Sequence, residues 1–395
     1  MSEVANIPQL RFPEFGDNWE EKKLGNVTSI VMGQSPDSTS YNSNGIGLYL
    51  IQGNADIKKR KTLPRVWTDT PTKECKVGDI IMTVRAPVGA VAKSIHNACI
   101  GRGVCAIRNN QHSVSNYIYQ FLLSFEKKWV KFEQGSTFTA VNTKDVKSLK
   151  LILPPVQEQT KIAAFLTAVD NKIEQLSKKQ ELLGEYKKGL MEQIFSQAIR
   201  FKADDGCDFP DWEEKSLGEL FNYKNGGSFE NEVVKDGLYN LITLNSITID
   251  GELKNEHKKI NSFDNSLKIN DLIMVLSDVA HGNFLGLTAI IPEDNSYVLN
   301  QRMGALKSKG LNNVVFLRLL INYNQKYFKL HGQGSSQQNL SKGDILKFEL
   351  LLPNRNEQQK IANFLSSIDT KIEQVGKQLD ESKQFKKALL QQMFV

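Results

Sequence analysis

The chain has 395 residues, 40% of them hydrophobic and 24% charged, with a formal net charge of +6; this is enough sequence for two or three domains with real cores, and too apolar for a disordered chain. Its longest apolar run, Leu272 to Leu276, is far short of the ~18 residues of a membrane span, and Met1 to Val4 lacks the basic and apolar regions of a secretory leader. Cys75, Cys99, Cys105 and Cys207 make no Cys-x-x-Cys pair, so neither a zinc site nor a disulfide framework is expected, and the composition fits a soluble protein of a reducing cytoplasm.

In chain order, the first marked element is Trp19-Glu20-Glu21-Lys22-Lys23-Leu24-Gly25. Short β-branched runs follow, punctuated by Gly, Pro and Asn, as in Gly47 to Ile51 and Asp79 to Val84; these read as short strands joined by turns. Asn116 to Lys131, carrying Tyr117, Phe121, Leu122, Phe125 and Trp129, reads as a helix. After Pro154-Pro155 a Gly-poor stretch runs to about Gln197.

The chain then repeats itself, which decides its architecture. Trp212-Glu213-Glu214-Lys215-Ser216-Leu217-Gly218 returns the first motif at an offset of 193. Ile269-Asn270-Asp271-Leu272-Ile273-Met274 echoes Val77-Gly78-Asp79-Ile80-Ile81-Met82. Gln134-Gly135-Ser136-Thr137 then matches Gln333-Gly334-Ser335-Ser336, and Leu153-Pro154 matches Leu352-Pro353, both at an offset of 199. From Gln157 to Gln175, 12 of 19 residues are identical to Asn356 through Gln374.

The stretches that close the two copies share a periodicity. Ile162, Leu166, Val169, Ile173, Leu176, Leu183 and Leu190 recur at alternating steps of four and three, interrupted by Gln180 and Lys187. Ile361, Leu365, Ile368, Ile372, Val375, Leu379 and Leu389 do the same, interrupted by Ser382 and Lys386. With Lys, Glu and Gln on the flanks, this is a coiled-coil seam. The two lysines are expected to snorkel out of it.

The expected fold is α/β (α+β). Two similar domains with bent, mostly β sheets span residues 1–153 and 199–352, and long helices span 154–198 and 353–395. The first helix joins the domains; at 1.5 Å per residue, ~40 residues hold them up to ~60 Å apart. The second helix finds its cheapest partner in the first only by running back along it, so the coiled coil is antiparallel and intramolecular, with a pseudo-two-fold axis. Two unequal jaws at a set distance suit a DNA duplex with two half-sites, and the modest positive charge permits such a partner without requiring one.

The repeated unit (Gly-Ser-Thr near residue 135, Leu153-Pro154-Pro155, then Glu158-Gln159-x-x-Ile162 leading into a long helix) resembles the specificity subunit of Type I restriction-modification systems. Gly78-Asp79-Ile80-Ile81 with Arg85-Ala86-Pro87-Val88-Gly89 is similar to the same family. Copy two departs there, with Ser277-Asp278-Val279-Ala280-His281-Gly282. The resemblance covers essentially the whole chain. It implies two target-recognition domains on double-stranded DNA, reading a bipartite asymmetric site for adenine methylation and restriction by partner subunits. It also implies two methyltransferase (modification) subunits bound along the helices, joined by restriction/translocase subunits. No cofactor is expected in this chain; S-adenosylmethionine, ATP and Mg are implied for the partners.

Candidate contacts follow from side-chain chemistry. Lys58-Lys59-Arg60-Lys61, and His257-Lys258-Lys259 in the comparable part of copy two, are candidates for phosphate. Arg85, Arg102 and Arg302 match the O6/N7 edge of guanine, unless each pairs with a carboxylate. Gln34, Gln337, Gln338 and Asn339 are amide-bearing loop residues able to read adenine. Ser35, Gly135-Ser136-Thr137 and Gly334-Ser335-Ser336 offer hydroxyls and close backbone approach. No phosphate-binding or dinucleotide loop is present, so no catalytic residue and no metal ligand is expected. Pro36-Asp37 with Asp56-Ile57-Lys58, and Pro210-Asp211 with Glu252-Leu253-Lys254, have the loose form of a metal-dependent nuclease site. They do not occupy equivalent places in the two copies. A stand-alone DNA-binding regulator, a protein-binding scaffold and a nuclease are therefore the rival readings.

The seam makes one prediction. Deleting a heptad from each helix (residues 170–176 and 369–375) keeps its phase and shortens it by about 10 Å, or about three base pairs at ~3.4 Å per step. The preferred spacer between half-sites should shorten by a few base pairs, with lower affinity because the DNA face also turns by about 100°. A DNA-binding selection that returns the original spacer at the original affinity would remove the caliper.

Overall fold

The computed structural model describes residues 7–129, 140–265, 267–279 and 282–395. The chain divides into two compact units, one of Met1–Lys179 with Val375–Val395, the other of Gln180–Gln374.

In the first unit, six strands line up as Thr28–Met32, Val104–Asn109, Ile80–Thr83, Val91–Lys93, Lys61–Thr62 and Ile57–Lys58. A second sheet orders Tyr41–Asn42, Val66–Thr68, Leu48–Ile51, Ala98–Ile100 and Glu74–Cys75. The central strands carry unbroken apolar runs, Ile80-Ile81-Met82 and Val104 to Ile107, because both faces are covered there. Ile80, Met82, Cys105 and Ile107 pack into the core shared with the helices. Ile81, Val104 and Ala106 face Ile51, Ala98 and Ile100 of the other sheet. The second unit repeats this with four strands (Phe221–Asn225, Met303–Ser308, Leu272–Val275, Thr288–Ile290) and three (Lys258–Ile260, Tyr239–Ile242, Tyr297–Leu299). Leu272, Met274 and Leu306 face its helices, and Ile273, Val275 and Ala305 its second sheet.

The expected helix over 116–131 is shorter, Ser115–Phe125, followed by a 3-10 turn Glu126–Lys128. The tighter turn brings the Glu126 carboxylate to the Val91 N–H at 2.8 Å and to the Arg60 guanidinium. Residues 130 and 131 lie outside the described residues.

The long helices span Val156–Phe195 and Arg355–Gln392, and the repeated motifs explain how each is joined to its sheets. Strand Glu20–Lys23 pairs antiparallel with Lys150–Leu153, just before the first helix, as Glu213–Ser216 pairs with Glu349–Leu352. That pairing carries Trp19 to the first helical turn, where its indole N–H donates to Glu158 Oε2 at 3.1 Å. Arg11 donates to both oxygens of the same carboxylate at 2.8 Å. In the second unit Trp212 donates to Glu357 at 3.2 Å, and Arg200 Nη2 does so at 2.8 Å. Both carboxylates are fully buried. The next residue, Gln159, donates to the Pro154 carbonyl at 2.8 Å and accepts the Val114 N–H at 2.9 Å; Gln358 does likewise with Pro353 and Asn313. Gly25 completes the motif, since a Cβ there would stand 2.9 Å from Lys147.

Every seam position named above is buried or half-buried in its own unit. The two interrupting lysines do not snorkel to solvent: Lys187 pairs with Asp369 at 2.6 Å, and Lys386 pairs with Asp170. The two pairs are images of each other under the 199-residue offset, one in each unit. In the first unit Ile162 and Leu166, before Asp170, share a core with Leu389 and Met393, after Lys386; in the second Leu190 and Ile194, after Lys187, share one with Ile361 and Leu365, before Asp369. Within each unit the two helical segments therefore run antiparallel. A heptad deletion that spares both pairs removes 177–183 and 376–382 in place of 170–176 and 369–375.

Two stability predictions follow. Arg11→Met leaves a buried carboxylate short of its strongest donor, and should lower stability by about 3–5 kcal/mol. Arg11→Met with Glu158→Gln should recover part of that loss in urea unfolding, and no recovery would mean the carboxylate is not what Arg11 serves. Lys386→Asp places two carboxylates together and should destabilise by roughly 1–2 kcal/mol. Adding Asp170→Lys restores the pair in reverse, so the thermal midpoint should return towards the original; an additive double variant would refute the pairing.

Candidate nucleic-acid interface

In the first unit a cleft of about 770 Å³ opens between residues 35–38, 52–54, 85–86 and 102–103. Backbone bonds set its walls. Gly33 N–H donates to the Val104 carbonyl at 3.0 Å, Gln34 N–H to Ile100 at 2.8 Å, and Val84 N–H to Gly103 at 2.9 Å. Arg102 N–H reaches the Ser35 hydroxyl at 3.1 Å. The packing is tight enough that a Cβ on Gly103 would stand 2.1 Å from the Gln52 carbonyl oxygen.

The lining brings together Ser35, Arg85 and Arg102 from the sequence candidates, with exposed Gln34 at the edge of the same segment. It adds Tyr41, Gln52 and Asn54, which no motif pointed to. Asp37 is the carboxylate of the lining. Bonds from the Thr39 N–H at 2.9 Å and hydroxyl at 2.7 Å hold it below the usual carboxylate range, so it is ionised.

The pairing of the arginines separates structural from available cations. Of ten arginines in the chain, Arg11, Arg60, Arg65, Arg108, Arg200 and Arg318 have carboxylate partners. Among the described residues Arg85, Arg102, Arg302 and Arg355 have none. Three of these four are the residues selected for guanine.

The basic cluster divides differently. Ile57–Lys58 and Lys61–Thr62 form a hairpin with Lys59 and Arg60 in its turn, at φ of 48° and 63°. Arg60 forks onto Glu126 and donates to the Val91 carbonyl at 3.2 Å, while Lys61 pairs with Glu174 on the first long helix at 2.6 Å. Arg60 and Lys61 thus tie the hairpin to the fold, and Lys58 is exposed on its strand.

The second unit presents the same frame with other side chains. Gly226 N–H donates to the Met303 carbonyl at 3.0 Å and Leu276 N–H to Arg302 at 3.0 Å, which sets Arg302 at the place of Gly103 and Gln301 at that of Arg102. Ser277 pairs with Asn339 as Arg85 bridges Ala140, so Ser277 takes the place of Arg85. Gln337–Asn339, expected in a loop, is a strand paired with Ser277–Val279, and Gly334-Ser335-Ser336 is the exposed turn before it. Asp278 is buried and accepts the Val279 and Phe284 N–H groups at 2.8 Å. Lys258 is exposed and Lys259 half-buried. His257 packs edge-on to Tyr297, and burial holds its imidazole below the ordinary value, which makes it neutral near pH 7 and a poor phosphate ligand.

Gly135, Ser136 and Thr137 lie outside the described residues. The nuclease-like pattern is not assembled. Asp56 is buried and accepts the Gln52 N–H at 2.8 Å, and Glu252 pairs with Arg318. Among the described residues no group of three or more His, Cys, Asp or Glu could hold a metal ion, and no helix is long and apolar enough to cross a membrane.

The long helices expose two aromatics in equivalent places, Tyr186 at 56% and Phe385 at 54%. The 199-residue offset pairs them in the sequence as well, but only their exposure marks them as unneeded by the seam.

Comparison with known proteins gives a consistent result. The family model described as "Type I restriction modification DNA specificity domain" matches residues 16–183 and again 210–381. A putative type I restriction enzyme MjaX specificity subunit of Methanocaldococcus jannaschii is 37% identical over 204 residues, which is 51% of this chain and 46% of that protein. The chain thus spans about half the length of that relative. The MjaVIII specificity subunit of the same organism is 22% identical across 96% of this chain and 92% of its own. The S subunit of a Type-I restriction-modification system from M. genitalium has the same fold, with a TM-score of 0.64 and 19% identity over 98% of this chain and 99% of that one. A chain solved in work on complex assembly and conformational transition of the type I R-M system aligns with a TM-score of 0.57 and 18% identity, over 94% of this chain and 96% of its own.

Proposed function

Because the chain belongs to the family of Type I restriction-modification DNA specificity domains, matched once in each half of its duplication, we propose that it is the subunit that selects the DNA site for such a system. Its two recognition domains each read one part of a bipartite, asymmetric site. The observation that carries this reading is one backbone frame built twice with different side chains around it: Arg85, Arg102 and Gly103 in one unit, Ser277, Gln301 and Arg302 in the other. A homodimer would present one set twice and read a palindrome. This chain carries two sets.

In this reading the chain does no chemistry. Adenine methylation belongs to two methyltransferase subunits using S-adenosylmethionine, and cleavage to restriction subunits using ATP and Mg. Tyr186 and Phe385 support a partner bound in two copies, since each helix offers an exposed aromatic at the same repeat position, and aromatic anchors dominate many protein interfaces.

The test is reconstitution. The purified chain should neither cut nor methylate DNA, and adenine methylation at a discontinuous sequence should appear when a methyltransferase partner and S-adenosylmethionine are added. Magnesium-dependent cutting by the chain alone, abolished by Asp56→Ala and Lys58→Ala, would overturn the proposal in favour of a nuclease. Tight sequence-specific binding with no partner able to methylate would favour a stand-alone regulator.

A further inference from the structure

We infer that the cleft of the first unit reads guanine through Arg85 and Arg102, and that the second unit reads no guanine from the equivalent places. The inference rests on the reading proposed above and assigns base chemistry to one half of the site.

Three observations lead to it. The first is availability. Most arginines in this chain serve internal carboxylates, yet among the described residues Arg85 and Arg102 have none while lining one cleft. Asp37 shares the lining, but Oδ1 of its carboxylate already takes both bonds from Thr39. The second is rigidity of the mounts. Arg85 stands next to strand Ile80–Thr83 and bridges Ala140, and Arg102 has its backbone N–H bonded to Ser35 at 3.1 Å. A guanidinium on a rigid mount discriminates better than one on a free loop, because its fork must meet O6 and N7 together.

The third observation is the contrast between units. At the place of Arg85 the second unit has Ser277, and at that of Arg102 it has Gln301. Phe229 and Asn300 occupy the ground beside them. A Cβ on Gly227 would stand 2.6 Å from the Phe229 ring, and the Asn300 amide reaches Glu230 at 3.1 Å. A serine hydroxyl offers one donor, and the two N–H groups of an amide diverge from a single nitrogen, so neither side chain forks onto O6 and N7 as a guanidinium does. Arg302 projects from a different position, that of Gly103, and is not part of this pair.

Phosphate contact is the competing use of the same two cations, and lysine separates the two. Lysine keeps the charge that a phosphate needs but loses the bidentate fork. The experiment uses the full chain with its methyltransferase partner and a pool of duplexes randomised through both half-sites. The unaltered complex should select guanine at one or two positions in one half-site. Arg85→Lys and Arg102→Lys should each relax that preference about tenfold to a hundredfold. The other half-site and the salt dependence should stay unchanged, which also reports that the variant is folded. Arg85→Ser and Arg102→Gln, which install the residues of the second unit, should abolish it. If the lysine variants keep the guanine preference, or lose affinity equally for all sequences, the arginines hold phosphate and the inference is overturned. A half-site without guanine overturns it as well. An unaltered complex with no bipartite preference would remove the proposed function itself, a result distinct from either.

Discussion

Glu158 and Glu357 have no solvent exposure, and a buried carboxylate is tolerated only among strong donors. Each receives a guanidinium, an indole N–H and the favourable end of a helix dipole. Those donors come from segments before the first strand of the domain, so the carboxylate closes the domain's beginning onto its end. Gln159 and Gln358 then fasten the same turn to the segment leading into the domain's own helix. The long helix is consequently an extension of the folded domain. Its direction, and the face it offers to the seam, are set at its first turn.

The seam depends on that direction. In both helices the duplication writes an Asp and, seventeen residues later, a Lys: Asp170 with Lys187, Asp369 with Lys386. Aligned parallel and in register, Asp would meet Asp and Lys would meet Lys. Aligned antiparallel, each Asp meets the other helix's Lys, as the two observed pairs do. Polar residues within an apolar seam commonly select register and orientation at some cost in stability. Here one inherited pattern does so twice, because the chain contains both of its copies.

The architecture was largely legible in the sequence. The repeat, the helix spans and the antiparallel seam all rest on periodicity and on residues kept in both copies, which a single chain displays directly. The sequence predicts snorkelling for Lys187 and Lys386 because a heptad pattern shows where a lysine sits along the seam, not which carboxylate lies across it. The helix from 116 ran too far because Glu126 is drawn to Arg60 and the Val91 N–H, contacts between residues far apart in the chain. Arg60 and Lys61 read as phosphate candidates for the same reason, since Glu126 and Glu174 are distant in sequence. The guanine candidates could not be separated from structural arginines until each side chain's partner was visible. Gln52 and Asn54 had no signal at all: they enter the cleft only because a short turn after strand Leu48–Ile51 faces the Arg102 loop.

That turn also shows how the two recognition surfaces diverged on one frame. After Leu48–Ile51 the backbone closes with Gln52 N–H on the Asp56 carboxylate at 2.8 Å. After Tyr239–Ile242 it closes one residue sooner, with Thr243 N–H on the Ser246 hydroxyl at 2.9 Å. In the longer turn the Gln52 carbonyl presses on residue 103, where any Cβ would meet it at 2.1 Å, so glycine is required there. The equivalent place in the second unit, fixed by the Leu276 N–H on the Arg302 carbonyl, carries a full side chain behind a shorter turn. In the first unit the turn excludes a side chain at this place by sterics. Gly103→Arg alone would collide, and shortening the turn alone would leave the place empty. Specificity in this scaffold changes by exchanging whole turn-and-loop combinations, while the buried carboxylate, the tryptophan that binds it and the Asp–Lys pairs keep the frame that presents them.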